Sequence, residues 1–144
     1  MLPVPVYATM AFAYQRIIHF ADTDAAGVAF FANVPAICHE AYEEALSAAG
    51  IGLGAFFRDN GVVIPISKCE AEYLRPLQCG DRVGVSLRPK ALSENSFEIC
   101  FEVTRLGPPP KSAALVKTVH VCIDSKTRRR RELPGAIAAW IRTS

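Results

Sequence analysis

The 144-residue chain contains no CxxC pair, no internal repeat, no low-complexity tract and no large excess of either charge. Its five cysteines, Cys38, Cys69, Cys79, Cys100 and Cys122, are odd in number and widely spaced. Neither a disulfide framework nor a zinc site is therefore expected. Four of them fall in segments that read as helix or strand, which predicts buried thiols of a reduced, cytoplasmic protein. A net charge of only +2 gives no global field to gather nucleic acid or a membrane surface. The opening MLPVPVYATMAFAY is apolar but lacks a basic segment and is broken by two prolines. It is too short to span a bilayer and does not read as a secretion signal. Residues 1–13 are expected to form a loose arm, or to precede a natural start at Met10. The terminal IRTS carries no prenylation or peroxisomal address, so a cytoplasmic location is the expectation.

With 51% apolar and 21% charged residues, the composition fits one globular domain over residues 1–144. Tyr14 to Phe20 is apolar and β-prone. Val34, Ile37, Cys38, Ala41, Ala45, Ala48 and Ala49 then recur at helical spacing, with Asn33 as N-cap candidate, Pro35 in the first turn and Gly50 just past the end. The small alanines suit a helix lying close on a sheet. GIGLGAFFRDNG reads as a loop with one helical turn. Val62–Leu74, Asp81–Leu92, Ser96–Leu106 and Ser112–Ser125 read as strands, with RPLQCGD, SEN and GPPPK short enough to join antiparallel neighbours. LPGAIAAWI predicts a last short helix. One helix cannot cover both faces of a five-stranded sheet, so the open face is expected to be covered by oligomerisation.

Several motifs fail on inspection. GIGLG lacks the dinucleotide spacing and no phosphate-loop Lys-Ser/Thr follows it. HEAYE, His39 to Glu43, has Glu where a zincin needs its second His. No G-x-S-x-G elbow is present. His19 and His120 read as core or sheet-surface residues. Glu40, Glu43 and Glu44 read as the helix's polar side, with Glu40 and Glu43 able to line a cleft. The basic run Lys126–Arg131 reads either as a solvated turn after the last strand or as a phosphate clamp, arginine matching phosphate through paired donors. It has no interleaved aromatic platform, which argues against nucleic acid.

The stretch HFADTDAAGVAFFANV, His19 to Val34, is the most informative. Two acids stand beside small residues and Gly27, and apolar aromatics follow at once. Taken alone, Asp22 and Asp24 fit a loop cap as well as a catalytic carboxylate. The helix behind them favours catalysis, because its first N–H groups and the positive end of its dipole suit a developing oxyanion.

ADTDAAGVAFFANV followed by CHEAYEEAL resembles the hotdog-fold thioesterases of the 4-hydroxybenzoyl-CoA thioesterase type, over about Tyr14 to Ser125. ADTDAAGV, CHEAYE, CGDR and HVCI look most like the cyanobacterial branch acting on 1,4-dihydroxy-2-naphthoyl-CoA in phylloquinone biosynthesis. The resemblance implies an α+β hotdog fold: a long central helix wrapped by a curved five-stranded antiparallel sheet. It further implies edge-to-edge dimers, usually forming tetramers, with active sites at the dimer interface. By the same resemblance Asp24 is the catalytic acid, and the Phe31 backbone N–H polarises the thioester carbonyl. His39 stands where most relatives carry an acid; positioning water, shuttling a proton and contacting the acyl ring remain alternatives for it. Hydratases of this fold have His five residues after the acid; here Ala29 stands there.

The chemistry needs Asp24 as general base or as nucleophile, and a donor for the carbonyl oxygen. No cofactor or metal is expected. Gly27 and Phe30 are candidate substrate contacts, with Phe30 and Phe31 in an aromatic acyl pocket. Arg128, Arg129, Arg130 and Arg131 are candidates for the CoA phosphates, and Lys68, Arg75 and Arg82 are weaker ones. The expected partners are an acyl-CoA and further copies of the chain, with neither nucleic acid nor membrane insertion. Alternatives are a thioesterase for aliphatic acyl-CoA or acyl-carrier protein, and a non-catalytic acyl-CoA-binding protein.

Overall fold

Apolar residues alternate along three long strands, and that alternation decides which face of the sheet is covered. The computed structural model describes residues 13–144, so the expected N-terminal arm lies outside the described residues apart from Ala13. The strands are β1 (Ala13–Ile17), β2 (Val62–Val63), β3 (Ile66–Tyr73), β4 (Arg82–Ser93), β5 (Ser96–Arg105), β6 (Lys111–Val121) and β7 (Ile123–Asp124). The helices are α1 (Asn33–Ala48), α2 (Leu53–Asp59) and α3 (Gly135–Thr143). The main sheet has five strands in the order β1-β4-β5-β6-β3, every pair antiparallel; β2 and β7 form a separate two-stranded ladder.

Val83, Val85 and Leu87 of β4, Phe97, Ile99, Phe101 and Val103 of β5, and Ala114 and Val116 of β6 are buried in one core. The stripe Val34, Ile37, Cys38, Ala41, Tyr42, Ala45 and Leu46 of α1 belongs to the same core. Its alanines allow the helix axis a close approach to the sheet. Gly50 ends α1 at φ +82, with its N–H donating to Ser47 O (3.0 Å) and Ile51 N–H donating to Leu46 O (2.9 Å). That pairing is a Schellman stop and satisfies two of the last carbonyls. Ile137, Trp140 and Ile141 of α3 complete the core, Trp140 packing against Tyr42 and Phe97.

Several expectations need correction. The segment Val62–Leu74 splits at Ile64–Pro65 into β2 and β3, and Ser112–Ser125 splits at Cys122 into β6 and β7. Pro65 cannot donate to a ladder. β3 and β4 are consecutive but not neighbours, because β3 pairs with β6 at the far edge. Their connection folds back instead: Leu74 and Arg75 N–H groups reach Ala113 O, and Ala29 N–H reaches Leu77 O. GIGLGAFFRDNG contains a seven-residue helix rather than one turn. Only Cys38 and Cys122 are buried; Cys69, Cys79 and Cys100 are exposed, and all five thiols are free. The exposed three lie on the edge strand β3, in the β3–β4 connection and on β5, where regular structure does not entail burial. Among the described residues no helix is long and apolar enough to cross a membrane.

Candidate active site

The stretch between β1 and α1 is a short, hydrogen-bonded scaffold around Asp24. Phe20–Asp22 forms one 3-10 turn. Asp22 Oδ2 accepts the Arg16 guanidinium and His19 N–H (2.7 Å), while the Asp22 carbonyl accepts Phe30 N–H (2.8 Å) and Asn33 Nδ2–H (2.9 Å). Arg16 also reaches both oxygens of Glu40 at 2.8 Å, and Tyr14 donates its hydroxyl to the same carboxylate. Glu40 is thus part of this brace rather than a free group on the helix's polar side. Asn33 is the first helical residue and the cap position is Ala32, without a side-chain cap. The amide expected to cap α1 ties the helix to Asp22 instead.

Beyond that brace, Thr23 and Ala29 pair antiparallel, and Asp24 N–H donates to Val28 O at 3.0 Å. Gly27 N–H closes the turn on Asp24 O (3.0 Å). Its φ of +80 is the left-handed conformation that glycine takes without a Cβ penalty. Asp24 Oδ1 accepts Ala26 N–H at 2.8 Å. Among the described residues no hydrogen bond engages Oδ2. One oxygen fixes the carboxylate while the other is available to take a proton or attack carbon.

Asp24 borders a cleft of about 390 Å³ with Val28, Phe30, Phe31, Tyr73, Arg75 and Leu77 among its walls. Ala29 and Phe30 spend their N–H groups on Leu77 O and Asp22 O. Among the described residues the Phe31 N–H donates no backbone hydrogen bond, two residues before α1 starts. It is a donor at the positive end of a 16-residue helix. The Phe31 carbonyl is held by the Tyr73 hydroxyl at 2.7 Å. Tyr73 ends β3, which leans across the cleft to reach the helix start. Sequence reasoning passed over this residue, since nothing local marks a strand-end tyrosine as a partner of a backbone group 42 positions away. Arg75, a weaker candidate, is the cation on this cleft and donates to Ser112 O.

His39 lies two turns further along α1. It borders a second cleft of about 320 Å³ with Pro35, Ala36, Ile66, Cys69, Phe101 and Thr118. Both clefts open between α1 and β3, one after the other. His120 is buried behind the second, as a core residue.

The arginine run lies elsewhere. Ala113 and Ala114 border the Asp24 cleft, whereas Arg128–Arg131 follow the opposite end of β6. From Ala114 to Val121 is about 23 Å of strand, so one protomer does not bring the run to its own Asp24. The four arginines also differ. Arg130 donates to Asn95 Oδ1 (3.2 Å), and Arg131 contacts Asp124 Oδ2 and Gly61 O at 3.4 Å each. Among the described residues, the Arg128 and Arg129 side chains have no such partner. Lys126 and Thr127 N–H groups bind Asp124 Oδ1 and hold that carboxyl below its ordinary range. Lys68 pairs with Glu70, while Arg82 borders a separate groove with Arg105 and Lys111.

An acid with one free oxygen, an uncommitted helix-start N–H and apolar walls are what acyl transfer to water requires. The comparisons agree with that chemistry. The thioesterase-like superfamily model matches residues 18–141. A 1,4-dihydroxy-2-naphthoyl-CoA hydrolase of Trichodesmium erythraeum is 44% identical over 132 residues, covering 92% of this chain and 96% of the relative. The protein of the same name from Nostoc punctiforme is 45% identical over 135 residues, covering 94% and 89%. The crystal structure of a 1,4-dihydroxy-2-naphthoyl-CoA thioesterase from Synechocystis superposes with a TM-score of 0.86 at 32% identity, covering 90% of this chain and 94% of the other. The chain belongs to the thioesterase-like superfamily, as a hotdog domain closely related to the cyanobacterial 1,4-dihydroxy-2-naphthoyl-CoA hydrolases.

Proposed function

We propose that the chain hydrolyses 1,4-dihydroxy-2-naphthoyl-CoA to 1,4-dihydroxy-2-naphthoate and CoA, the step the family resemblance assigns to phylloquinone biosynthesis. The observation that carries this is the pairing of Asp24 and the Phe31 N–H on one apolar cleft. In the reaction the thioester carbonyl oxygen takes the Phe31 N–H. Asp24 Oδ2 either removes a proton from the attacking water or attacks the carbonyl carbon itself. The first route gives a tetrahedral oxyanion that collapses with loss of CoA thiolate. The second breaks the C–S bond, expelling CoA thiolate to give a mixed anhydride, which water then cleaves to the acyl carboxylate and free Asp24. In both, negative charge grows at the carbonyl oxygen, where one positioned donor contributes about 3 kcal/mol. Gly27 shapes the loop, and Phe30 and Phe31, 41% and 62% exposed, offer apolar surface to the acyl ring. His39 stands further along the same helix, beside the path of that ring.

The working unit is a homo-oligomer, with dimers further assembled into tetramers. Every residue of β3 is exposed, and its outer edge has no strand neighbour. An eight-residue open edge is a template for another strand. Antiparallel β3–β3 pairing of two copies would set the Ile66 end of one beside the Tyr73 end of the other. That carries the partner's arginine run toward this protomer's Asp24 cleft, where the run can neutralise CoA phosphates. The test is a CoA-release assay across naphthoyl, benzoyl and alkyl thioesters. Highest kcat/KM on the dihydroxynaphthoyl thioester is expected; preference for an alkyl chain would transfer the reading to an aliphatic thioesterase. Absence of turnover on every member would leave a binding protein.

A further inference from the structure

His120 is 1% exposed and lies flat on Phe97, with centroids 4.7 Å apart and planes within 2°. Tyr42 closes another side at 5.0 Å. Its Nε2 is 2.7 Å from Thr118 Oγ1, and its Nδ1 has no hydrogen-bond partner. Burial, helped by nearby His39, pushes the ring's pKa down to about 4. The imidazole is therefore neutral near pH 7 and carries one N–H. The Nε2–Oγ1 hydrogen bond fixes the threonine hydroxyl in either tautomer, and a hydroxyl, with one proton and two lone pairs, keeps capacity for a second hydrogen bond.

Thr118 borders the cleft that contains His39, Phe101 and Cys69. This cleft begins at Pro35, in the first turn of α1 and four residues after Phe31. An acyl group whose carbonyl sits at the Phe31 N–H and whose ring runs along α1 enters it. We propose that Thr118, oriented by His120, is a specificity-determining residue: its hydroxyl forms a hydrogen bond with a ring hydroxyl of the acyl group, against the apolar wall of Phe101. The proposal rests on the hydrolase reading above and names the group that distinguishes a hydroxylated aromatic ring from a plain one. A ring without that hydroxyl covers the polar Oγ1 and offers it no second hydrogen bond, so it is disfavoured more than its lost contact area implies.

The test measures kcat/KM on 1,4-dihydroxy-2-naphthoyl-CoA and on 2-naphthoyl-CoA, for the wild type and three variants. Thr118→Val keeps the shape and removes the hydroxyl, Thr118→Ala removes it without the second methyl, and Thr118→Ser retains it. Both hydroxyl-free variants should lose about tenfold of the preference for the dihydroxy ring, with the 2-naphthoyl rate within about twofold of wild type. Thr118→Ser should keep the preference. An unchanged ratio, or a parallel fall on both substrates, overturns the proposal while leaving the hydrolase reading standing. If the wild type cleaves neither thioester, the hydrolase reading fails and the proposal falls with it.

Discussion

Asp22 and Asp24 stand two residues apart with opposite surroundings. Asp22 is clasped by Arg16 and the His19 N–H, and its carbonyl carries Phe30 and Asn33. Asp24 keeps one carboxylate oxygen uncommitted on a cleft. Asp22→Asn removes the charge from a hydrogen-bonded ion pair whose side chains are only 13% and 17% exposed. It should lower stability by about 1–3 kcal/mol, read as a shift in the urea midpoint, with kcat of the folded enzyme falling less than about tenfold. A far larger loss of kcat without loss of stability would mean that the roles of the two acids are exchanged. The DTD pair is visible in the sequence, with Asp24 read as the catalyst and Asp22 as a brace of the loop; the partners of Asp22, Arg16 and Asn33, are not, because they arrive from two other elements. Tyr73 was illegible for the same reason: its partner is a backbone carbonyl brought near only by the fold. Glu40 reads as a solvated helix acid because its partners, Tyr14 and Arg16, lie on a strand 26 and 24 residues away.

At the scale of elements, the period of each segment told helix from strand, and Gly50 marked the helix end. The interruptions were harder. A β-prone run such as Val62–Leu74 reads as continuous because apolar β-branched residues stand on both sides of Pro65, although the ladder is interrupted there. The β3–β4 connection was read as a hairpin link from its length. Its backbone is instead spent on Ala113 and on the loop before α1, which sends β3 to the sheet edge. The four arginines of the Lys126–Arg131 segment divide into two pairs. Arg130 and Arg131 are tied into the turn, whereas Arg128, at φ 63, and Arg129 extend from it. Converting both Arg128 and Arg129 to Gln should raise KM for the CoA thioester about tenfold, with kcat within about twofold, the mark of uniform binding lost. A pantetheine thioester, which lacks the nucleotide phosphates, should show no such change. Unaltered KM for the CoA substrate would leave the run a solvated turn.

For the whole molecule, α1 and α3 pack into the one core of a five-stranded sheet, and β3 is exposed along its full length. Ile66 and Tyr73 at its two ends are 42% and 46% exposed, apolar surface that a second copy would cover. Sedimentation at micromolar concentration should therefore give a dimer or tetramer and no substantial monomer. A stable, fully active monomer would overturn both the edge pairing and the site shared between copies. The expectation of a partner rests on one long helix set against five strands. That β3 lies at a sheet edge is not legible in the sequence, because it follows from β3 pairing with β6 rather than with β4.

The central claim is that Asp24 carries the hydrolysis, and Asp24→Asn tests it most directly. The substitution keeps size and the Oδ1 acceptor for Ala26 N–H, and removes the charge and basicity of the free oxygen. With thermal melting and sedimentation unchanged, kcat on 1,4-dihydroxy-2-naphthoyl-CoA should fall by about 100-fold or more, the scale for losing a positioned base or nucleophile. A folded Asp24→Asn enzyme turning over that thioester at close to the wild-type rate would contradict the assignment.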